Sequence, residues 1–137
     1  MRKEIDIALK NTVIPKLREL GFKGRYPNFY RDEDNHIDLL YFQFYSSGGK
    51  FVCEISFADQ KRDNVFFKKE TPVSKLRVNQ TNERLRLGSS PKSGINDYWF
   101  EFEKTSILSR NSPQNAADSV LNYLNQASEW WALHKNL

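Results

Sequence analysis

The 137-residue chain predicts an α+β fold, a mostly antiparallel sheet of about five to six strands flanked by an N-terminal and a C-terminal helix. Three observations carry this. The first is a central hairpin, in which the runs Ile37–Tyr45 and Phe51–Phe57 are joined by Ser46-Ser47-Gly48-Gly49. The second and third are helical periodicities at the two ends of the chain. Both hairpin strands are apolar on both faces, since Leu40, Phe42 and Phe44 alternate with Leu39, Tyr41 and Tyr45. Helices or a further sheet are therefore expected over each side.

Residues Arg2 to Leu20 place Ile5, Leu9, Val13, Leu17 and Leu20 at spacings of three and four, the mark of one buried helix face. Gly21 follows as the terminating residue with left-handed backbone. Pro15 removes one amide donor inside this pattern, so a kink or break is expected near Asn11 to Ile14. Pro27 sets a boundary before a short strand containing Asn28-Phe29-Tyr30-Arg31. The stretch Asp32 to Asp38 offers alternating oxygen donors. However, Ile37 stands where a calcium loop needs glycine and Gln43 where it needs glutamate, so it reads as an acidic turn.

After the hairpin, Ala58 to Lys69 contains few turn residues, and Val73 to Leu87 alternates enough for one or two further strands. Within it, Leu85 and Leu87 point inward and Arg84 and Arg86 outward. Gly88 to Gly94 is a loop by composition. Asp97 to Glu103 is the last strand, with Tyr98, Phe100 and Phe102 on one face and Trp99, Glu101 and Glu103 on the other. Ser112 and Pro113 suit the N-cap and first turn of the final helix. Its buried stripe is Ala117, Val120, Leu121, Leu124, Ala127 and Trp131. Both terminal helices are expected on one face of the sheet.

The length and the 10 Phe, 6 Tyr and 3 Trp residues suit one domain over 1–137 with a core that needs no covalent staple. The single cysteine, Cys53, cannot form an internal disulfide and sits mid-strand, where a buried, inert thiol is expected. No leader-like or membrane-spanning run is read in the chain. The net charge is a mild +4, but nine basic residues against three acidic ones fall between Lys61 and Lys92. Such a segment is a polyanion footprint or, more commonly, the solvated face of loops and strands.

The search for chemistry yields no catalytic residue, no metal set and no cofactor. His36 and His134 lack a patterned cysteine or carboxylate partner, and no phosphate loop or dinucleotide fingerprint is present. One polar constellation remains. Tyr30, Arg31 and Gln43 from the first strands, Arg84 and Arg86 from a later one, and Asp97 and Trp99 from the last are candidates for convergence on one sheet face. Arginine over an aromatic plane suits an anionic or planar ligand. The plainer reading pairs Arg84 or Arg86 with Asp97, Glu101 or Glu103 across neighbouring strands.

Five short segments occur in order: Leu20-Gly21-Phe22-Lys23, Asn28-Phe29-Tyr30-Arg31, Phe42-Gln43, Arg84-Leu85-Arg86-Leu87-Gly88 and Asp97-Tyr98-Trp99. In these the chain resembles the bacterial family catalogued as domain of unknown function 4304, over roughly residues 5 to 131. It departs from that pattern with Tyr98 in place of a tryptophan and with the glycine pair in the hairpin turn. The resemblance implies a small bacterial α+β domain and carries over no functional residue.

The absence of reactive motifs and the Tyr, Trp and Arg content make a non-enzymatic, protein-binding module of a bacterial cytoplasm the leading expectation, by analogy immunity- or antitoxin-like. Single-stranded nucleic acid or RNA binding through the basic 61–92 segment is the alternative. A small-ligand site on the Tyr30, Gln43, Arg84 and Trp99 face is the third. Oligomeric state is not legible.

Overall fold

The computed structural model describes residues 2–33, 36–59, 61–65 and 70–135. The centre of the expected acidic turn (Asp34, Asn35) and Phe66, Phe67, Lys68 and Lys69 of the post-hairpin stretch lie outside the described residues.

The N-terminal periodicity forms α1 (Arg2–Thr12) and α2 (Ile14–Glu19), separated at Val13. This is the break expected from Pro15, whose ring nitrogen cannot donate to the carbonyl four residues back. The ladder is otherwise kept, with Val13 donating to the Leu9 carbonyl and Leu17 to that of Val13. Gly21 ends the pair at φ +96°, as a helix terminus in left-handed backbone requires.

Among the described residues the six strands are β1 (Lys23–Arg25), β2 (Asn28–Glu33), β3 (His36–Phe44), β4 (Lys50–Asp59), β5 (Arg84–Arg86) and β6 (Phe100–Glu101). The sheet runs β1-β2-β3-β4-β5, with β6 also on the outer edge of β4, and every pairing is antiparallel. The β3–β4 hairpin closes through Gly48 and Gly49 at φ +87° and +84°, so the turn uses its glycines for their left-handed freedom. The Tyr26–Pro27 bond between β1 and β2 is cis.

The last helix, α3 (Pro113–Lys135), starts with the Ser112 hydroxyl accepting from the Asn115 amide at 3.0 Å. It packs beside α1 on one face of the sheet. Ile5, Leu9, Val13 and Leu17 meet Ala117, Val120, Leu124 and Trp131 over Phe29, Leu40, Phe42, Phe51, Cys53 and Ile55, all buried. Trp131 fixes the register, since its indole N–H donates to the Ser56 carbonyl at 2.8 Å in the core.

The opposite face departs from expectation. Among the described residues neither an α-helix nor a second sheet covers it. The segment after β4 folds back instead, and Val65, Leu76 and Val78 bury Ile37, Leu39 and Ala58 in a second, smaller core. Of the stretch Val73 to Leu87, where one or two further strands were expected, Arg84–Arg86 forms β5, while Val73–Lys75 and Val78–Gln80 form two short 3-10 turns. The alternation ahead of β5 came from chain that touches the sheet at isolated apolar points rather than along a ladder. The last strand is also shorter than expected: only Phe100–Glu101 pairs, although Phe102 is buried beside Phe100 and keeps the period of two.

Candidate functional site

The covering segment protects only half of this second face. The other half is open, and the sequence candidates gather there. Antiparallel register puts directly opposite residues on the same face. Tyr41 opposes Glu54 and Glu54 opposes Arg86, while Gln43 opposes Val52 and Ser56 opposes Arg84. Gln43, Glu54, Arg84, Arg86 and Asp97 line a pocket of about 660 Å³ with Tyr41, Leu85, Asn79, Asn82 and Asn96. Four of the seven expected residues thus converge.

The remaining three divide. Trp99 stands at the rim, with the Arg86 guanidinium carbon 5.8 Å from its ring centroid. Tyr30 shares the sheet face but packs against the covering segment, away from the pocket. Arg31 does not join the site. It follows Tyr30 in β2, and adjacent residues of a strand face opposite ways. Its side chain lies on the helix face, bonded to Asp38 at 2.7 Å and to the Leu20 carbonyl at 2.9 Å, over the rings of Phe22 and Trp131. The buried Asp38 carboxylate also takes His36 Nδ1 at 2.7 Å. Arg31 is therefore an internal tie between β2, β3 and the end of α2.

Inside the pocket the arginines are paired, as the plainer reading expected for Arg86, but the central acid is one that reading did not name. Arg86 Nη1 donates to Asp97 at 2.9 Å. Glu54 lies between Arg84 at 3.9 Å and Arg86 at 3.5 Å, with its side chain 13% exposed. Beside the pocket a ledge of rings continues. Tyr45 and Trp99 meet edge to face at 5.5 Å, and the Lys50 ammonium sits 4.7 Å from each centroid.

What holds this edge in place is the pair of motifs Arg84–Gly88 and Asp97–Trp99. Gly88 has φ +88°, and a Cβ there would lie 2.4 Å from the Tyr98 ring. Its missing side chain lets Tyr98 lie flat on the backbone and reach Phe100 and Tyr123. Gln126 of α3 accepts from the Gly88 amide at 2.7 Å and donates to the Ser89 carbonyl at 3.0 Å. The Ser89 hydroxyl donates to the Asn96 carbonyl and accepts from the Tyr98 amide, bracketing Asp97. Asp97 and Trp99 are thereby aimed outward while Tyr98 anchors inward. Burial raises the Tyr98 phenol above its ordinary range, with neighbouring Tyr123 adding to the shift.

Sequence reasoning missed Glu54, Tyr41, Asn79, Asn82 and Asn96. For Glu54 a signal existed, a lone charge in an apolar strand whose alternation turns it from the core. The asparagines come from irregular chain, where no periodicity announces a direction.

Cys53 is fully buried on the helix face, and burial pushes its thiol well above the ordinary range, with Glu54 next. This is the inert environment expected of it. Among the described residues no cluster of three metal-ligating side chains occurs, and no helix is long and apolar enough to cross a membrane.

Fold and site together define a small α+β protein with helices on one sheet face and a half-open polar recess on the other. The chain belongs to the family described as domain of unknown function (DUF4304), whose model matches residues 13–134. No curated protein and no solved structure matches it.

Proposed function

We propose that this chain is a non-enzymatic binding module of a bacterial cytoplasm, and that the open half of the sheet face receives a protein partner. The observation that carries this is a rigidly held recess beside a ring ledge of Tyr45, Lys50 and Trp99, with Tyr45 43% exposed. Tyrosine, tryptophan and arginine at a partly desolvated centre are the composition that interfaces favour. Among the described residues no cysteine, serine, threonine or lysine lines the recess. An immunity- or antitoxin-like role is consistent with such a module by analogy of size and chemistry alone.

The nucleic-acid alternative draws less support from the geometry. Arg77 spends its guanidinium on the Ser74 and Leu76 carbonyls, Arg62 bonds the Thr71 carbonyl, and Arg84 and Arg86 face carboxylates.

The test is affinity capture with tagged protein and two variants, Trp99→Ala at the ledge and Ile107→Ser on the separate exposed loop. A stoichiometric protein retained by Ile107→Ser and lost with Trp99→Ala is the expected result. Capture of nucleic acid that is shed steeply as salt rises would contradict it.

A further inference from the structure

From the hydrogen-bonding state of the recess we infer the chemistry it takes: a neutral amide group, from either the main chain or an Asn/Gln side chain of the partner. This rests on the reading that the recess is the binding site.

Charge comes first. Arg84 and Arg86 are balanced by Glu54 and Asp97, so the recess has no surplus of either sign. A phosphate or a free carboxylate would have to displace an existing carboxylate partner, and a cationic side chain an existing guanidinium. The walls are also wrong for an apolar ligand, since the Tyr41 ring is the main apolar side chain among the ten lining residues and Leu85, opposite Ile55, turns its side chain to the helix-side core. A neutral polar group remains.

The recess also holds unspent hydrogen-bonding capacity. Glu54 is mostly withdrawn from solvent, yet among the described residues no donor reaches hydrogen-bonding geometry on its oxygens. Its arginine neighbours stand at 3.5 and 3.9 Å. A closed guanidinium–carboxylate pair is shorter, near 2.8 Å. Among the described residues Arg84 has that 3.9 Å ion-pair contact alone, so its donors make no short hydrogen bond although they stand beside a carboxylate that accepts none. A group that donates and accepts side by side fits between them, its N–H on Glu54 and its carbonyl on Arg84. A side-chain carboxamide offers that pair, and so do the N–H and C=O of one residue in extended main chain, whereas those within a single trans peptide unit point opposite ways. The carboxamides of Gln43, Asn79, Asn82 and Asn96 around this pair extend the same complementarity along a polypeptide. Seating such a group satisfies a largely desolvated carboxylate, the kind of gain that makes the centre of an interface count.

Isotope-labelled protein is titrated with N-acetylglycine N-methylamide, N-acetylasparagine N-methylamide, glucose and inorganic phosphate, following side-chain signals of Arg84, Gln43, Asn79 and Asn82. The expected result is that the two amides shift these signals and the others do not. The asparagine derivative acting alone would assign the side-chain source, and both acting alike the main chain. Arg84→Met is expected to weaken the response roughly tenfold, the loss of one hydrogen bond to a charged group. The Trp131 indole signal on the far face reports that the variant is folded. If glucose or phosphate moves the signals while the amides do not, the amide assignment is overturned and the recess stands as a site. If no probe moves them, both fall.

Discussion

Gly88 is where one residue decides most. Its left-handed backbone and the absent Cβ allow the Tyr98 ring to close over it, which in turn turns Asp97 and Trp99 outward. Gly88→Ala combines backbone strain with overlap against that ring. It is expected to cost about 2 kcal/mol in urea denaturation, and to displace the Trp99 fluorescence environment even where the fold survives. The same scale shows what the sequence offered and withheld. Arg84 and Arg86, and likewise Asp97 and Trp99, lie two apart, and alternation alone puts each pair on one side. Tyr30 and Arg31 are adjacent, so the same rule separates them, and Arg31 belongs with the buried Asp38. Alternation also pointed Glu54 away from the core, but nothing in the string said that two arginines from a strand thirty residues on would frame it.

At the scale of elements, legibility follows periodicity. The hairpin, the Pro15 break, the capped final helix and the placement of both helices on one face were readable because repeated apolar spacing and turn chemistry agree there. The covering segment was misread. Val65, Leu76 and Val78 supply the buried contacts from chain in short 3-10 turns, and sparse contacts leave no period to detect. The α3 helix offers a direct test of how the layers are joined. Trp131→Phe keeps a ring in the core but removes the indole donor to the Ser56 carbonyl. It is expected to lower stability by about 2 kcal/mol in a chemical denaturation curve, and to leave the recess on the other face able to bind.

The whole molecule carries a pH signature from groups that the fold keeps neutral. Burial raises Cys53, and burial with the Asp6 carboxylate raises Tyr26, whose hydroxyl donates to it at 2.6 Å. A group raised in the folded state contributes stability that is complete below its unfolded pKa and is lost as pH rises towards the folded value. For the thiol the unfolded value is 9.0 and for the phenol 10.0. Melting temperature is therefore expected to fall from about pH 9 upward through these groups. In Cys53→Ala, whatever its lower baseline, the onset moves towards pH 10, where tyrosine takes over.

The molecule is two-sided, with a helix-covered structural face and a half-covered face proposed to be the recognition face. Hydrogen–deuterium exchange on the protein alone and in complex with its captured partner tests that division most directly. Added protection is predicted over β4, β5 and the Asn96–Trp99 edge, with α1 and α3 unchanged. Protection confined to the outer surfaces of α1 and α3 would contradict it and place the interface on the opposite side of the sheet.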